Sequence, residues 1–268
     1  MPQPALSLTD SSLVDPAGAE RDRLPAEARR MAAELGQGRQ GVTIRLGPIM
    51  GILWAAAALI VLLSLVQDLL IFLAPEAGFS DRIYRLDVDT EASLPTWYST
   101  SLLSLCALLL LLIGLQVNSQ SRLKALPWFI LTAIFAVLSL DEIATLHEGL
   151  SALLSARMDN SGLFYFAWTV PALIVCVAGL ICFVPFILSF KGFDRVLLVS
   201  SAIVFLSGAI GMEMLGGAEA ETGGIATLHY RMLTTLEETL EFAGVLLFLG
   251  FLLRRLRAAH ARTVLKFE

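Results

Sequence analysis

Between residues 48 and 253 the chain falls into six long apolar stretches, each about the length that carries a helix across a ~30 Å hydrocarbon layer. They run roughly over 48–73, 97–117, 126–147, 163–190, 196–216 and 232–253. Backbone inside lipid has no water to bond to, so each stretch must satisfy its own N–H and C=O groups. The sequence therefore predicts an all-α polytopic membrane protein, a bundle of six transmembrane helices. Composition agrees: 56% of the 268 residues are hydrophobic and 16% charged, against about 25% charged in an ordinary soluble domain. No basic tract points to nucleic acid, and the expected surrounding is a lipid bilayer.

The order of domains follows from the same pattern. Residues 1–46 are rich in Ala, Pro, Arg and Glu without apolar periodicity, which predicts a disordered tail. A short helix is expected near 25–35, where Pro25 suits a first turn and Gly36 a stop. Residues 47–256 form the transmembrane domain, and residues 257–268 a basic tail. With no apolar run before residue 48, no signal peptide is expected, and the first span acts as its own insertion signal. Cys106, Cys176 and Cys182 all lie in apolar runs, so free thiols are expected rather than a disulfide framework.

Lys and Arg set the orientation. Fifteen of the nineteen fall in the two tails and in the second–third and fourth–fifth loops. Only Arg82, Arg85, Arg157 and Arg231 fall on the other side. This predicts a protein of the cell (inner) membrane with both termini cytoplasmic.

Within or beside the spans stand Asp68, Asp141, Glu142, Glu148, Glu213, Glu237, Glu238 and Glu241, all in the outer half by this threading. No Lys or Arg lies inside a predicted span; Arg231 stands at an edge, where it can meet an outer acid. A lone ionised carboxylate at mid-membrane costs roughly 2.5–3.5 kcal/mol on insertion scales. These acids must be protonated, hydrated in a cavity, or neutralised by cations. Asp68 beside Gln67 is read as interfacial, and Glu219 and Glu221 as solvated residues of a Gly-rich loop.

Helical spacing arranges the rest. Asp141 and Glu148, seven apart, share a face of the third span, with Glu142 and His147 diverging on either side. On the sixth, Glu237, Glu238 and Glu241 cover an arc of about 100°. Antiparallel packing would set His147, Glu148 and His229 in an outer layer above Asp141, Glu142 and Glu237. Ser207 and Gly211 form a small-xxx-small step beside Glu213. The pentapeptide Ile-Ala-Thr-Leu-His occurs at 143–147 and again at 225–229, placing both histidines near the same face.

Mixed His and carboxylate donors from several helices are how carboxylate-rich metal sites are built in bundles. The candidate ligands are Asp141, Glu142, His147, Glu148, Glu213, His229, Glu237, Glu238 and Glu241, for a divalent ion (Zn, Fe, Mn or Ca). A metal-dependent hydrolase or oxidase of a lipid-like substrate is the leading expectation. A non-catalytic subunit docked to a membrane-protein partner and a proton- or cation-coupled transporter are the alternatives. No His-x-x-x-His occurs, which separates the chain from the three-histidine zinc hydrolases of membranes, and no Lys lies in a span to carry retinal.

Overall fold

A computed structural model describes residues 45–78 and 81–260. The predicted N-terminal tail, its short helix near 25–35 and most of the C-terminal tail lie outside them. The described residues form seven α-helices and no strand: α1 (Leu46–Leu73), α2 (Leu94–Asn118), α3 (Arg122–Ala144), α4 (Leu146–Ser155), α5 (Thr169–Ser189), α6 (Gly192–Thr222) and α7 (Leu228–His260). Of these α1, α2, α3, α5 and α6 are long and apolar enough to cross a membrane. Cys106, Cys176 and Cys182 are free thiols.

The outer helices turn apolar side chains outward. On α5 only Thr169 is buried, while Ile174, Val175, Val177, Ile181 and Leu188 are exposed. In water such a surface would be unfavourable by about 25 cal/mol for each Å²; against lipid chains it costs nothing.

The last helix is built differently. It packs against α1, α2 and α6, and Phe242, Val245, Leu246, Leu249, Phe251 and Leu252 form the centre of the core. Leu102, Leu103, Cys106 and Leu110 of α2 and Ala57 and Ile60 of α1 complete it. A helix enclosed by other helices need not be apolar all round, and this central helix carries three acids within its span. It begins at Leu228, so Glu237, Glu238 and Glu241 stand well inside it.

Glycines set the closest approach. A Cβ on Gly244 of α7 would lie 2.6 Å from the backbone N of Phe205 on α6. A Cβ on Gly208 of α6 would lie 2.7 Å from the Glu237 carbonyl oxygen and 3.0 Å from Cγ of Glu241. Gly208 belongs to a single π-helical turn, Ser207–Met212. Here the sequence expectation needs correcting. The close contact is made by Gly208 rather than by Ser207 and Gly211, and α6 continues to Thr222, so Glu219 and Glu221 are helical rather than part of a loop.

A second correction concerns the third span, which does not run through His147. Thr145 adopts a left-handed conformation (φ 49°, ψ 43°), ending α3, and α4 starts at Leu146. Asp141 and Glu148 therefore sit on different helices. The Asp141 carboxylate makes the break: its Oδ1 accepts the His147 backbone N–H at 2.8 Å, satisfying a donor that a helix start leaves free. Facing away from the bundle are Leu146, Leu150 and Leu153 of α4, all exposed. In the second pentapeptide copy Thr227 accepts the Tyr230 N–H on its Oγ1 at 3.1 Å, an N-cap for α7. Both copies of the repeat thus open a helix with Leu-His.

Candidate functional site: an acid-lined cavity at one end of the bundle

The segment before α2 and the start of α2, the C-terminal end of α3, α4, the segment between α4 and α5, Glu213 of α6 and the start of α7 line a cavity of about 560 Å³. Its wall carries seven carboxyl side chains: Asp89, Glu91, Glu142, Glu148, Glu213, Glu237 and Glu238. His147 joins them, with Tyr165, Phe166, Trp168 and Tyr230 as aromatic wall, and among the described residues no Lys or Arg lines it.

Each element contributes through its local structure. The polar face of amphipathic α4 supplies His147, Glu148, Ser151 and Ser155. The start of α7 supplies Tyr230, Thr234, Glu237 and Glu238, one face of one helix at spacings of three and four. Glu213 follows directly on the π turn, accepts the Trp168 indole N–H at 2.8 Å, and is in hydrogen-bonding contact with Glu237. Two carboxylates so placed need a proton or a cation between them. Glu142 has a hydroxyl partner in Ser99. Glu238 has neither a hydrogen bond nor an ion pair among the described residues and is enclosed by protein except towards the cavity.

His147 is the oriented group of the site. Its Nδ1 lies 2.9 Å from Oδ2 of Asp141, and its ring is 5.1 Å from that of Trp168. Burial works against the imidazolium, but the hydrogen bond and charge of Asp141 outweigh it and raise the His147 pKa above its ordinary value.

Behind one wall lies an ionic network. Arg231 of α7, 4% exposed, bonds to Asp68 of α1 at 3.4 Å and to Asp87 and Asp89 of the α1–α2 segment. Arg82 bonds to Asp68 at 2.8 Å and to Asp87 at 3.0 Å. Asp68 is therefore fully buried and paired, not interfacial, and the acids do have basic partners. The network holds the segment that brings Val88, Asp89, Thr90 and Glu91 to the cavity. Burial would raise the Asp87 pKa, but Arg231 and three hydrogen bonds hold it below the usual carboxylate range. Burial pushes Asp89 up to about 6 despite the Arg231 charge. Glu91 is raised by burial and by neighbouring Glu148.

Of the sequence candidates, Glu142, His147, Glu148, Glu213, Glu237 and Glu238 line the cavity. Asp141 stands behind His147, and Glu241 lies one turn beyond Glu237, with Glu142 and Glu213 acting on it electrostatically. His229 does not join them: it is exposed, with Nδ1 2.8 Å from Glu219, though it repeats the His147 pattern of a first-turn histidine paired to an upstream carboxylate. Asp89, Glu91 and the aromatic wall escaped the sequence reading. The Arg82…Asp87-Val-Asp89 run between two spans was the signal for the first two. Among the described residues, no three of His, Cys, Asp and Glu converge closely enough to hold a metal ion directly.

A family model described as a domain of unknown function (DUF8692) matches residues 52–255. No curated protein and no solved structure matches the chain.

Proposed function

The chain belongs to the family of that domain of unknown function, DUF8692, whose matched stretch spans every cavity residue; from this premise we propose that the protein is a multi-pass membrane protein whose cavity binds a cation. The observation that carries the reading is a wall that, among the described residues, holds seven carboxyl groups and no Lys or Arg. Such a concentration of one sign inside low-dielectric walls focuses a negative potential and draws counter-ions in. The unpartnered Glu238 gives the cation its contact at depth.

Topology belongs to the same proposal. Counting α7 as a sixth span places both termini on the Lys/Arg-rich side, which is cytoplasmic by the positive-inside rule. The cavity then opens to the outside. In support, α7 has 33 residues, about 50 Å at 1.5 Å each, and turns its acids inward.

The test is direct. Titrating purified full-length protein with inorganic and organic cations should show saturable binding, weakened at least about tenfold in Glu238→Gln, the loss of one close charge contact. If no cation binds, the reading is wrong.

A second reading, a metal-assisted hydrolase or oxidase acting on a lipid-like molecule, draws support from the Asp141–His147 pair. A carboxylate on one ring nitrogen fixes the tautomer and leaves the other free, the arrangement common to metal-ligating and general-base histidines. His147 with Glu142, Glu148 and Glu238 would be the donors. As the side chains stand they do not close a metal shell, so an ion would be held partly through water. Elemental assay of purified protein decides: absence of stoichiometric metal removes this reading and leaves the first.

A further inference from the structure

We propose that the cation is an organic polycation, a linear di- or polyamine, and not a single metal ion; this rests on the cation-binding reading above and specifies its ligand. Three observations on the cavity point there.

The first is size. At about 560 Å³ the cavity falls within the range that holds small organic molecules, far beyond one ion with its first shell of oxygens.

The second is how the charges are spread. Several of the acids already have partners. Asp89 is bonded to Arg231, and Glu213 to Trp168 and Glu237. Glu142 has only the Ser99 hydroxyl. Glu91, Glu148 and Glu238 have no hydrogen bond or ion pair among the described residues. Glu91 and Glu148 are exposed at the mouth, whereas Glu238 lies deeper on α7. Open carboxylates at both levels, without three donors converging on one point, match several separated positive charges better than one concentrated charge. Ammonium groups joined by methylenes supply that pattern, and each N–H can donate to a carboxylate or to Ser151, Ser155 or Thr234 along the wall.

The third is the aromatic wall. Trp168 and Tyr230 belong to the wall, and an aromatic ring beside the ligand attracts an ammonium and covers the methylenes between charges. A hydrated metal ion gains little from them.

The experiment uses the full-length protein in lipid nanodiscs, with binding read by calorimetry at near-physiological salt. The probes are spermidine, putrescine, tetramethylammonium, Mg²⁺ and Ca²⁺. Spermidine should bind more tightly than putrescine, and both more tightly than either metal ion. Glu238→Gln should weaken spermidine at least about tenfold, a close charge–charge contact removed from a partly dry site. Trp168→Leu should weaken spermidine about threefold to tenfold, a cation–π contribution, whereas Trp168→Phe, which keeps an aromatic ring and loses only the hydrogen bond to Glu213, should weaken it less. Glu148→Gln, at an exposed position where misfolding is not at issue, should weaken spermidine by a smaller factor. Unliganded melting temperature and elution volume report the folding of the variants at the two half-buried positions.

Metal binding that spermidine neither matches nor displaces would overturn the polyamine assignment and leave the cation-binding reading standing. Binding of spermidine that Glu238→Gln, Trp168→Leu and Glu148→Gln all leave unchanged would also overturn it, since the amine would then sit elsewhere. If no probe binds, both fall.

Discussion

Arg231 on α7 and Asp68 on α1 meet at 3.4 Å, both almost wholly buried, though 163 residues separate them in the chain. With Asp87, Asp89 and Arg82 they tie the first helix, the last helix and the segment before α2 into one charged knot at the cavity end. Removing Arg231 leaves the buried Asp68 and Asp87 to share Arg82 and takes from Asp89 its cation. Arg231→Met should therefore destabilise the protein by about 3–5 kcal/mol, the usual cost of breaking a buried pair from one side. Arg82→Met should cost less, because Arg82 is 18% exposed and water can replace it. Denaturant titration in mixed micelles checks both. Equal effects would contradict the central place given to Arg231.

The two neighbouring aspartates of the knot should respond to pH in opposite directions. Asp87, held below its ordinary pKa, contributes stability that is present above the unfolded value near 4 and is lost as pH falls through its folded value. Asp89, raised to about 6, works the other way. Its contribution is present below the unfolded value near 4 and is lost as pH rises through about 6. Asp89→Asn should thus keep or raise the melting temperature at pH 7.5 and remove a fall in stability between pH 4 and 6, in the range set by the two pKa values. Asp87→Asn should lower the melting temperature at pH 7.5. Melting curves over this range separate the cases, and parallel behaviour of the two variants would refute the assignment.

His147 gives a functional pH dependence. Its pKa is raised because Asp141 outweighs the effect of burial, so the imidazole carries a positive charge up to a higher pH than an ordinary histidine. Cation affinity should rise as that proton leaves. In Asp141→Asn the midpoint of this rise should move to lower pH, because burial is then opposed only by the charges of Glu213 and Glu148. Affinity against pH, with histidine ring NMR as a direct readout, checks the shift. An unchanged midpoint would remove His147 from the site.

The contact between α6 and α7 has no room for a methyl group. Gly208→Ala would set a Cβ 2.7 Å from the Glu237 carbonyl oxygen, and Gly244→Ala one 2.6 Å from Phe205 N. Both neighbours are backbone and cannot swing away. Each variant should cost about 1–3 kcal/mol, the range for overpacking a tight interior. Gly208→Ala should also weaken cation binding, since the displaced strip of α7 carries Glu237 and Glu241. Gly179→Ala, with nothing within 4 Å, serves as control and should be neutral or stabilising by up to about 1 kcal/mol through helix propensity. Thermal unfolding of the three variants tests the order.

What the sequence disclosed follows from the range of the interactions involved. Apolar runs and charge placement are local, and they located five lipid-compatible helices and gathered Glu142, His147, Glu148, Glu213, Glu237 and Glu238 at one end. Ion pairing is not local. Asp68 looks interfacial until Arg82 and Arg231 are placed beside it, and nothing in the sequence spacing brings residue 231 to residue 68. His229 stands apart from the cavity for a related reason. It shares its pentapeptide with His147, but its acid partner is Glu219 at the surface, because α6 extends past residue 216 to Thr222. Helical periodicity assumes an unbroken helix, and that assumption fails at Thr145.

That break yields the last prediction. A threonine at φ 49° holds a β-branched side chain in a conformation that L-residues avoid. The conformation persists because Asp141 accepts the His147 N–H across the turn and because the Thr145 N–H bonds to the Asp141 carbonyl at 2.7 Å. Thr145→Gly relieves about 1–2 kcal/mol of backbone strain and loses roughly half of that to the entropy of the freer unfolded chain. The variant should be neutral to slightly stabilised and should keep its cation affinity. Thr145→Val keeps the strain and loses the hydroxyl, so it should be no more stable than the parent. Combined with Asp141→Ala the picture inverts. Without the carboxylate the break loses what holds it, and a β-branched Thr145 favours a helix running straight from α3 into α4. Glu148 and Ser151 would then leave the cavity wall, and cation binding should fall further in Asp141→Ala than in Asp141→Ala/Thr145→Gly, where glycine keeps the left-handed turn accessible. Binding and unfolding measured on this set of variants test whether the turn, and not the helix, places the α4 side of the site; equal losses in the last two variants would refute it.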